Sequence, residues 1–564
     1  MLQSSPFIFW EEIFVKILQC SLYYEPKLKE LGQMMYVRKL ILSVLIISGL
    51  CYAQPKLVVG IVVDQMRYDY LYRFQNNYGE NGLKRLMREG ANYTYAHYNY
   101  VPTKTAPGHA SIYTGTTPFY HGIIGNDWYD RQQGKEIYST DDFRYEGVGG
   151  PDKMSPLQLL TSTMTDQLKI SNNGMSKVIA ICIKDRGAIL PGGRMADAAY
   201  WYSADNGNFM TSTYYMKELP PWVTAFNARK LPDAYVQKKW TLSFPIEKYQ
   251  NSFPDENSYE PDLFQEGRTS FPHSLEHIAE NQKYELLKST PYGNQLLVDF
   301  ARAAIEHENL GSHAVPDFLA ISFSSTDYVG HEYGPNSVEI QDLYIKFDSQ
   351  VAELLSMLDS AVGKGNYLLF LTADHGVDEV PGWGNFKPKT FFSSKRLNAS
   401  VKKFIEEAYH SDKILEHYSN RQFYLNDSVM LSLNLQPGAV RARVAEYIRD
   451  AFPDVYLVYT KDNFTSRMPM RIPENQFLNG HNQIRSGDII VDFSPNTEFE
   501  PEKEKANHST LFAYDTHVPL LFYGWHVPSG EHADPVFTVD IAPTITNLIK
   551  ITEPSGCIGI PLLK

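Results

Sequence analysis

Five short runs of unbroken apolar character stand out along the chain, at 57–63, 178–183, 318–323, 367–372 and 518–523. Continuous apolarity over so few residues predicts strands buried on both faces, the pattern of a parallel sheet. Between them, apolar positions recur at helical spacing over 81–89, 156–169, 295–308, 338–361 and 540–549. Strands alternating with helices over this length predict an α/β fold, with a mostly parallel central sheet and helices on both faces. Two segments, 204–290 and 393–504, break the alternation and are rich in Pro, Asn, Tyr and charge. They read as insertions that cap the sheet rather than as independent domains. No internal repeat or low-complexity tract interrupts the pattern.

Composition narrows the class. With 564 residues, 43% of them hydrophobic and 21% charged, the chain is an ordinary globular protein with a large core, which excludes disordered, collagen-like and polytopic membrane classes. The balance of 52 Lys and Arg against 65 Asp and Glu gives a net charge of -13, which argues against nucleic acid or an anionic membrane surface as partner. An anionic substrate then has to be held locally, by metal ions or a few placed cations. Near the N-terminus, Arg38 and Lys39 precede an apolar run at 40–50 and the small residue Ala53. This run is too short to span a bilayer and reads as a signal peptide over 35–53. Residues 1–34 are then a mis-called extension ahead of an internal start. The mature chain would be 54–564, exported to the periplasm or secreted, with no stable membrane insertion after cleavage. Of four cysteines only Cys182 and Cys557 lie beyond the leader. One bridge is allowed, and any metal site has to be built from His and carboxylates.

The polar residues that follow the strands carry the chemistry. Asp64 closes the first run, Asp327 and His331 follow the third, and Asp374-His375-Gly376 follow the fourth, whereas His517 precedes the fifth. In open α/β sheets ligands bind beyond the carboxyl ends of the strands. Six Asp and His groups gathered there suit two zinc ions with three protein ligands each, leaving open positions for an in-line phosphoryl transfer. Each Asp taken singly also reads as a turn former or helix cap. In the stretch Pro102-Thr103-Lys104-Thr105-Ala106-Pro107-Gly108-His109, Pro107 fits the first turn of a helix and puts Thr105 at its positive end. Thr105 is there either a nucleophile or simply the N-cap.

Asp64, the Thr-Ala-Pro-Gly-His stretch from Thr105, Thr114-Gly115, His121-Gly122-Ile123, Asn126, the Asp327/His331 pair, Asp374-His375-Gly376 and His517 together resemble the alkaline phosphatase superfamily. Within it the chain is similar to the threonine-nucleophile alkaline phosphatases, close to the nucleotide pyrophosphatase/phosphodiesterase branch. The resemblance implies that Asp327, His331 and His517 hold one zinc and that Asp64, Asp374 and His375 hold the other together with the Thr105 oxygen. It further implies that Thr105 is the nucleophile and that Asn126 donates its amide to a phosphoryl oxygen. His109 and His121 are assigned packing roles.

Monoester and diester hydrolysis differ in where cations sit. A monoester is a dianion whose transition state spreads charge over three nonbridging oxygens, so added cations favour it. Lys184 and Arg186 directly follow the second apolar run. Taken alone they read as a solvated loop pair, with strand alternation able to point both at one rim. Within the resemblance, Lys-x-Arg matches the substrate-binding pair of threonine-type alkaline phosphatases. The function implied is a zinc-dependent phosphate monoester hydrolase acting through a phosphothreonine on small phosphate monoesters. The alternative is a phosphodiesterase or nucleotide pyrophosphatase on the same scaffold.

Overall fold

The structure is a computed structural model that describes residues 54–380, 391–465, 473–495, 497–500 and 506–563. The leader at 35–53 and the extension before it lie outside the described residues. The five apolar runs form the strands β1 (Leu57–Val63), β2 (Val178–Cys182), β4 (Asp317–Phe323), β5 (Tyr367–Thr372) and β6 (Leu520–Gly524), and a further strand, β3 (Ala198–Ser203), which the pattern did not single out, lies beside β2. They lie in a ten-stranded sheet in the spatial order β6-β5-β1-β4-β2-β3. The pairs β5·β1, β1·β4, β4·β2 and β2·β3 are parallel. In contrast β6 runs antiparallel to β5, with Leu521 opposite Leu371. The fifth run is therefore not a parallel strand: it enters the sheet from the rim at which its neighbours end.

Alternation along each strand divides the core into two layers. Leu57, Val59, Ile61 and Val63 of β1 pack on one face, where they meet helices α3 (Pro291–His307) and α5 (Val338–Leu358). Val58 and Val62 pack on the other, against α1 (Thr105–Thr114), α2 (Asp185–Gly192) and α6 (Ile541–Leu548). Helix α4 (Ser325–Tyr333) follows β4 directly. The sequence pattern placed a helix at 156–169, but only its second half is helical. Thr163 closes a reciprocal capping box with Asp166 and starts the helix Met164–Ser171 there.

The two insertions differ in how they are held. Residues of the first, among them Val223, Phe226, Trp240 and Leu275, join the apolar layer of α3 and α5. The second builds an antiparallel four-stranded sheet from Leu415–Ser419, Gln422–Leu425, Val455–Thr460 and Ile489–Phe493. It has an apolar cluster of its own, with Leu397, Val401, Phe423, Val444 and Ile489. Cys182 and Cys557 are both free thiols, so the one bridge that their number allowed is not formed.

Candidate active site

Register sets the site. Val63 of β1 lies opposite Phe323 of β4, Val62 opposite Thr372 of β5, and Ser322 opposite Cys182 of β2. Four parallel strands thus end level, and the residue after each end falls on one rim: Asp64, Ser324, Ala373 and Ile183. From that rim Asp64, Asp327 and His375 each bring a ligand atom within 4.8 Å of the others, and so do Asp327, His331 and His508. Asp327 belongs to both groups. His375 Nε2 lies 3.4 Å from Asp64 Oδ1 and 3.7 Å from Asp374 Oδ2. His331 Nε2 lies 3.2 Å from Asp327 Oδ1, in keeping with their one-turn spacing on α4.

The placement of His517 differs from what the sequence implied. Its Nε2 meets the Thr94 carbonyl oxygen at 3.0 Å, and its ring stacks on His97 and Tyr68. The cause is the short ribbon in which His517 and Val518 pair with His97 and Ala96, which holds the ring beside β6. His508 stands at the site instead. Its ring stacks on His375 with centroids 3.6 Å apart, its Nε2 is 3.9 Å from Asp327 Oδ1, and its Nδ1 meets the Thr103 carbonyl oxygen at 2.7 Å. Backbone bonds from Gly376, Val377 and Asp378 to Asp515, Tyr514 and Asn507 lay this loop along the segment after β5. Both histidines precede β6 in the sequence, and only the course of the loop separates them.

Gln65 is a second residue that the sequence did not single out. Its backbone turns into the left-handed region, with φ of 66°. There its N–H donates to Asp374 Oδ1 at 3.2 Å and its side-chain amide donates to Asp327 Oδ1 at 2.8 Å. It therefore braces two carboxylates from one position after Asp64. His109 packs as the sequence suggested and also braces the site: its ring joins the Thr105 carbonyl oxygen to Ser322 Oγ, at 2.8 Å each, and lies 3.4 Å from Asp374 Oδ2.

Thr105 is the first residue of α1 and is 2% exposed. The N-cap is Lys104 and makes no side-chain capping bond, so Thr105 is not the capping residue. The first turn of α1 touches the strand end directly, since a Cβ on Gly108 would come within 2.4 Å of the Asp374 carbonyl oxygen. Asn126 Oδ1 accepts from Ala106 N at 2.9 Å, which ties it to the same turn.

Lys184 and Arg186 reach the rim by a different route from strand alternation. β2 ends at Cys182, Lys184 is the N-cap of α2, and Arg186 sits in the first turn of that helix. Lys184 Nζ donates to Asp64 Oδ2 at 2.7 Å and to Asp327 Oδ2 at 2.5 Å. Arg186 Nη1 donates to the Tyr138 hydroxyl at 2.7 Å. Lys184 is buried at the rim and Arg186 half-buried, each bonded to a neighbour rather than solvated in a loop.

Burial pushes the Asp64 and Asp374 carboxyls up, and their negative neighbours add to it. Burial acts upward on Asp327 too, but the Lys184 ammonium and the nearby imidazoles outweigh it and hold that carboxyl well below its usual range. Burial pushes His375 down to about 3 and His508 well below the ordinary imidazole value, so both rings are neutral, the form that binds a metal. Asp64 Oδ1, Asp374 Oδ2 and His375 Nε2 are buried with no hydrogen-bond partner. Buried polar atoms without partners are costly. Three of them converging, one imidazole and two carboxylate oxygens, is the donor set of a zinc-type cation, so the residues present fit a metal.

A cleft of about 470 Å³ opens over this rim, with Lys104, Asn126, His331 and His508 on its inner side and Asn420 and Arg421 of the second insertion on its outer side.

The profile of the type I phosphodiesterase / nucleotide pyrophosphatase family matches residues 58–518. The chain is 40% identical to alkaline phosphatase PafA of Elizabethkingia meningoseptica, over 94% of this chain and 99% of that protein. It is 42% identical to a calcium-transporting ATPase of Myroides odoratus, over 90% of this chain and 94% of that protein. A crystal structure of wild-type alkaline phosphatase PafA superposes with a TM-score of 0.86 at 39% identity, covering 91% of this chain and 99% of that one.

Proposed function

The chain belongs to the type I phosphodiesterase / nucleotide pyrophosphatase family, and from that premise we propose that it is an exported, zinc-dependent alkaline phosphatase that hydrolyses phosphate monoesters through a phosphothreonine on Thr105. One observation carries the monoester reading: two cations, the buried Lys184 and the half-buried Arg186, stand at the end of β2 on the rim that gathers Asp64, Asp327 and His375. Asp64, Asp374 and His375 would hold one zinc, and Asp327, His331 and His508 the other, so that the bound metals supply Lewis-acid charge and favour ionised oxygen nucleophiles.

The chain's own residues do the rest. Thr105 offers its hydroxyl from the first turn of α1, where the helix's positive end favours an oxyanion. Attack forms the bond from Thr105 Oγ1 to phosphorus and breaks the bond to the leaving oxygen; water then cleaves the phosphothreonine and releases phosphate. Asn126, with Oδ1 engaged by Ala106 N, turns its Nδ2 donors toward a phosphoryl oxygen. Arg186 supplies a planar fork and Lys184 a point charge for the remaining nonbridging oxygens. A diester has one of those oxygens blocked and gains less from them. The terminal phosphate of a nucleoside triphosphate presents the same dianion, so this chemistry also covers the hydrolysis that an ATPase performs. The leader sequence supports export, and no described helix is long and apolar enough to cross a membrane.

The test compares kcat/KM for an aryl phosphate and its methyl diester in Lys184→Ala and Arg186→Ala. Monoester turnover should fall on the order of a hundredfold and diester turnover by much less; equal losses would favour the diesterase reading. Thr105→Ala should lose turnover while keeping its zinc, and undiminished activity in that variant removes the nucleophile.

A further inference from the structure

The second insertion reaches the chain neighbours of Thr105 and Asn126 through the Asn420 side chain. Its strands Leu415–Ser419 and Gln422–Leu425 are joined by Asn420 and Arg421, and Ser419 lies opposite Gln422. Both turn residues have positive φ, 48° and 61°, as a two-residue turn of this hand requires. The turn carries Asn420 to the mouth of the cleft, between the two loops that deliver Thr105 and Asn126.

There Asn420 Oδ1 accepts from Lys104 Nζ at 2.7 Å. Its Nδ2 donates to the Asp127 carbonyl oxygen at 2.9 Å, to Asp127 Oδ1 at 2.7 Å and to Ser419 Oγ at 3.3 Å. Lys104 immediately precedes Thr105, and Asp127 immediately follows Asn126. One amide of the insertion thus grips the chain neighbours of both residues, while Ala106 N and Asn126 Oδ1 close the loop between them from inside. We propose that Asn420 is a positioning residue for catalysis, through which the inserted hairpin sets the distance between the attacking Thr105 hydroxyl and the Asn126 amide. It touches neither the phosphoryl group nor a metal ligand in this role. Without the clamp the Ala106–Asn126 bond still ties the two loops but the outer grip on both is lost, and an error of about an ångström between nucleophile and oxyanion donor is enough to cost rate.

The proposal rests on the phosphatase reading, and its test separates the two. Asn420→Gly removes the side chain and keeps the left-handed backbone accessible. Asn420→Asp keeps the acceptor for Lys104 but sets a carboxylate against Asp127, and it serves as the second variant should the glycine form fail to fold. For either, kcat/KM on an aryl phosphate should fall roughly tenfold or more, with the loss in kcat, while zinc content and melting temperature stay near those of the unsubstituted protein. The same substitution made in an Asn126→Ala background should cost less than about threefold, because residues acting as one unit are not additive. Unchanged kcat in the single variants overturns the proposal. So does an equal loss in both backgrounds, which would make the contact merely structural. If Asn126→Ala by itself left monoester turnover intact, the role given to Asn126 would fall instead.

Discussion

His508 and His517 approach the same strand from the same direction, yet only one reaches the carboxylates. His508 stacks on His375, whereas His517 is bonded to Thr94 and stacked on His97. His508→Ala should therefore lose bound zinc and turnover together, and His517→Ala should keep its zinc; metal analysis of the two purified variants decides between them, and the reverse outcome would restore His517 as the ligand. Another buried imidazole makes a pH statement. His121 accepts Ile123 N at Nδ1, 3.1 Å, and so gives its Nε2 proton to Ser111 Oγ at 2.9 Å. Burial pushes it down to about 3. The unfolded chain takes up a proton near pH 6.5 that the folded one refuses until about 3. Stability from this group is thus complete above pH 6.5 and is lost as pH falls, by about 1.4 kcal/mol per pH unit. Urea unfolding between pH 7 and 5 should show a steeper acid loss in the unsubstituted protein than in His121→Gln, and parallel curves would contradict a neutral His121.

At the scale of elements, α1 packs closely against the segment that follows β5. Gly108 leaves no room for a side chain, because an added Cβ would lie 2.4 Å from the Asp374 carbonyl oxygen and 2.7 Å from its Cβ. That approach brings the first turn of α1, and Thr105 with it, against a carboxylate of the cluster. Gly108→Ala must push helix and strand apart, at a cost of about 1–3 kcal/mol. Turnover should drop further than that loss predicts, since Thr105 and Asp374 are displaced relative to one another. Thermal unfolding measured beside kcat tests this, and a variant with ordinary turnover would show that the contact does not set the nucleophile. Gly60, in the middle of β1, serves the same packing from beneath: a Cβ there would meet the Tyr113 hydroxyl of α1 at 2.4 Å.

For the molecule as a whole, strand ends far apart in sequence converge on a single charged cluster. Asp64, Asp327 and Asp374 are all buried, and among the described cations Lys184 is in direct contact with two of them. A buried cluster of this charge is held together best by the metals it fits, which links metal binding to folding. Treatment with a chelator should lower the melting temperature, and added zinc should restore it in proportion to the logarithm of its free concentration. At a hundred times the dissociation constant the gain is about 2.7 kcal/mol. A melting temperature indifferent to chelator and zinc would mean that these carboxylates are not metal ligands.

Local pattern alone was enough for the strands β1, β2, β4 and β5 and for the residues at their ends, because a buried parallel strand needs unbroken apolarity and the group after it necessarily falls on the rim. The Thr105 stretch, with Pro107 in the first turn of α1, was legible for the same local reason. Other features depend on partners distant along the chain. The antiparallel entry of β6, the loop that brings His508 rather than His517 to Asp327, the brace formed by Gln65 and the hairpin that carries Asn420 to Lys104 and Asp127 are all of this kind. Periodicity records which face of an element is buried, but not where an irregular loop crosses the rim, and the choice between two histidines on one such loop is made only by the tertiary contacts that fix its course.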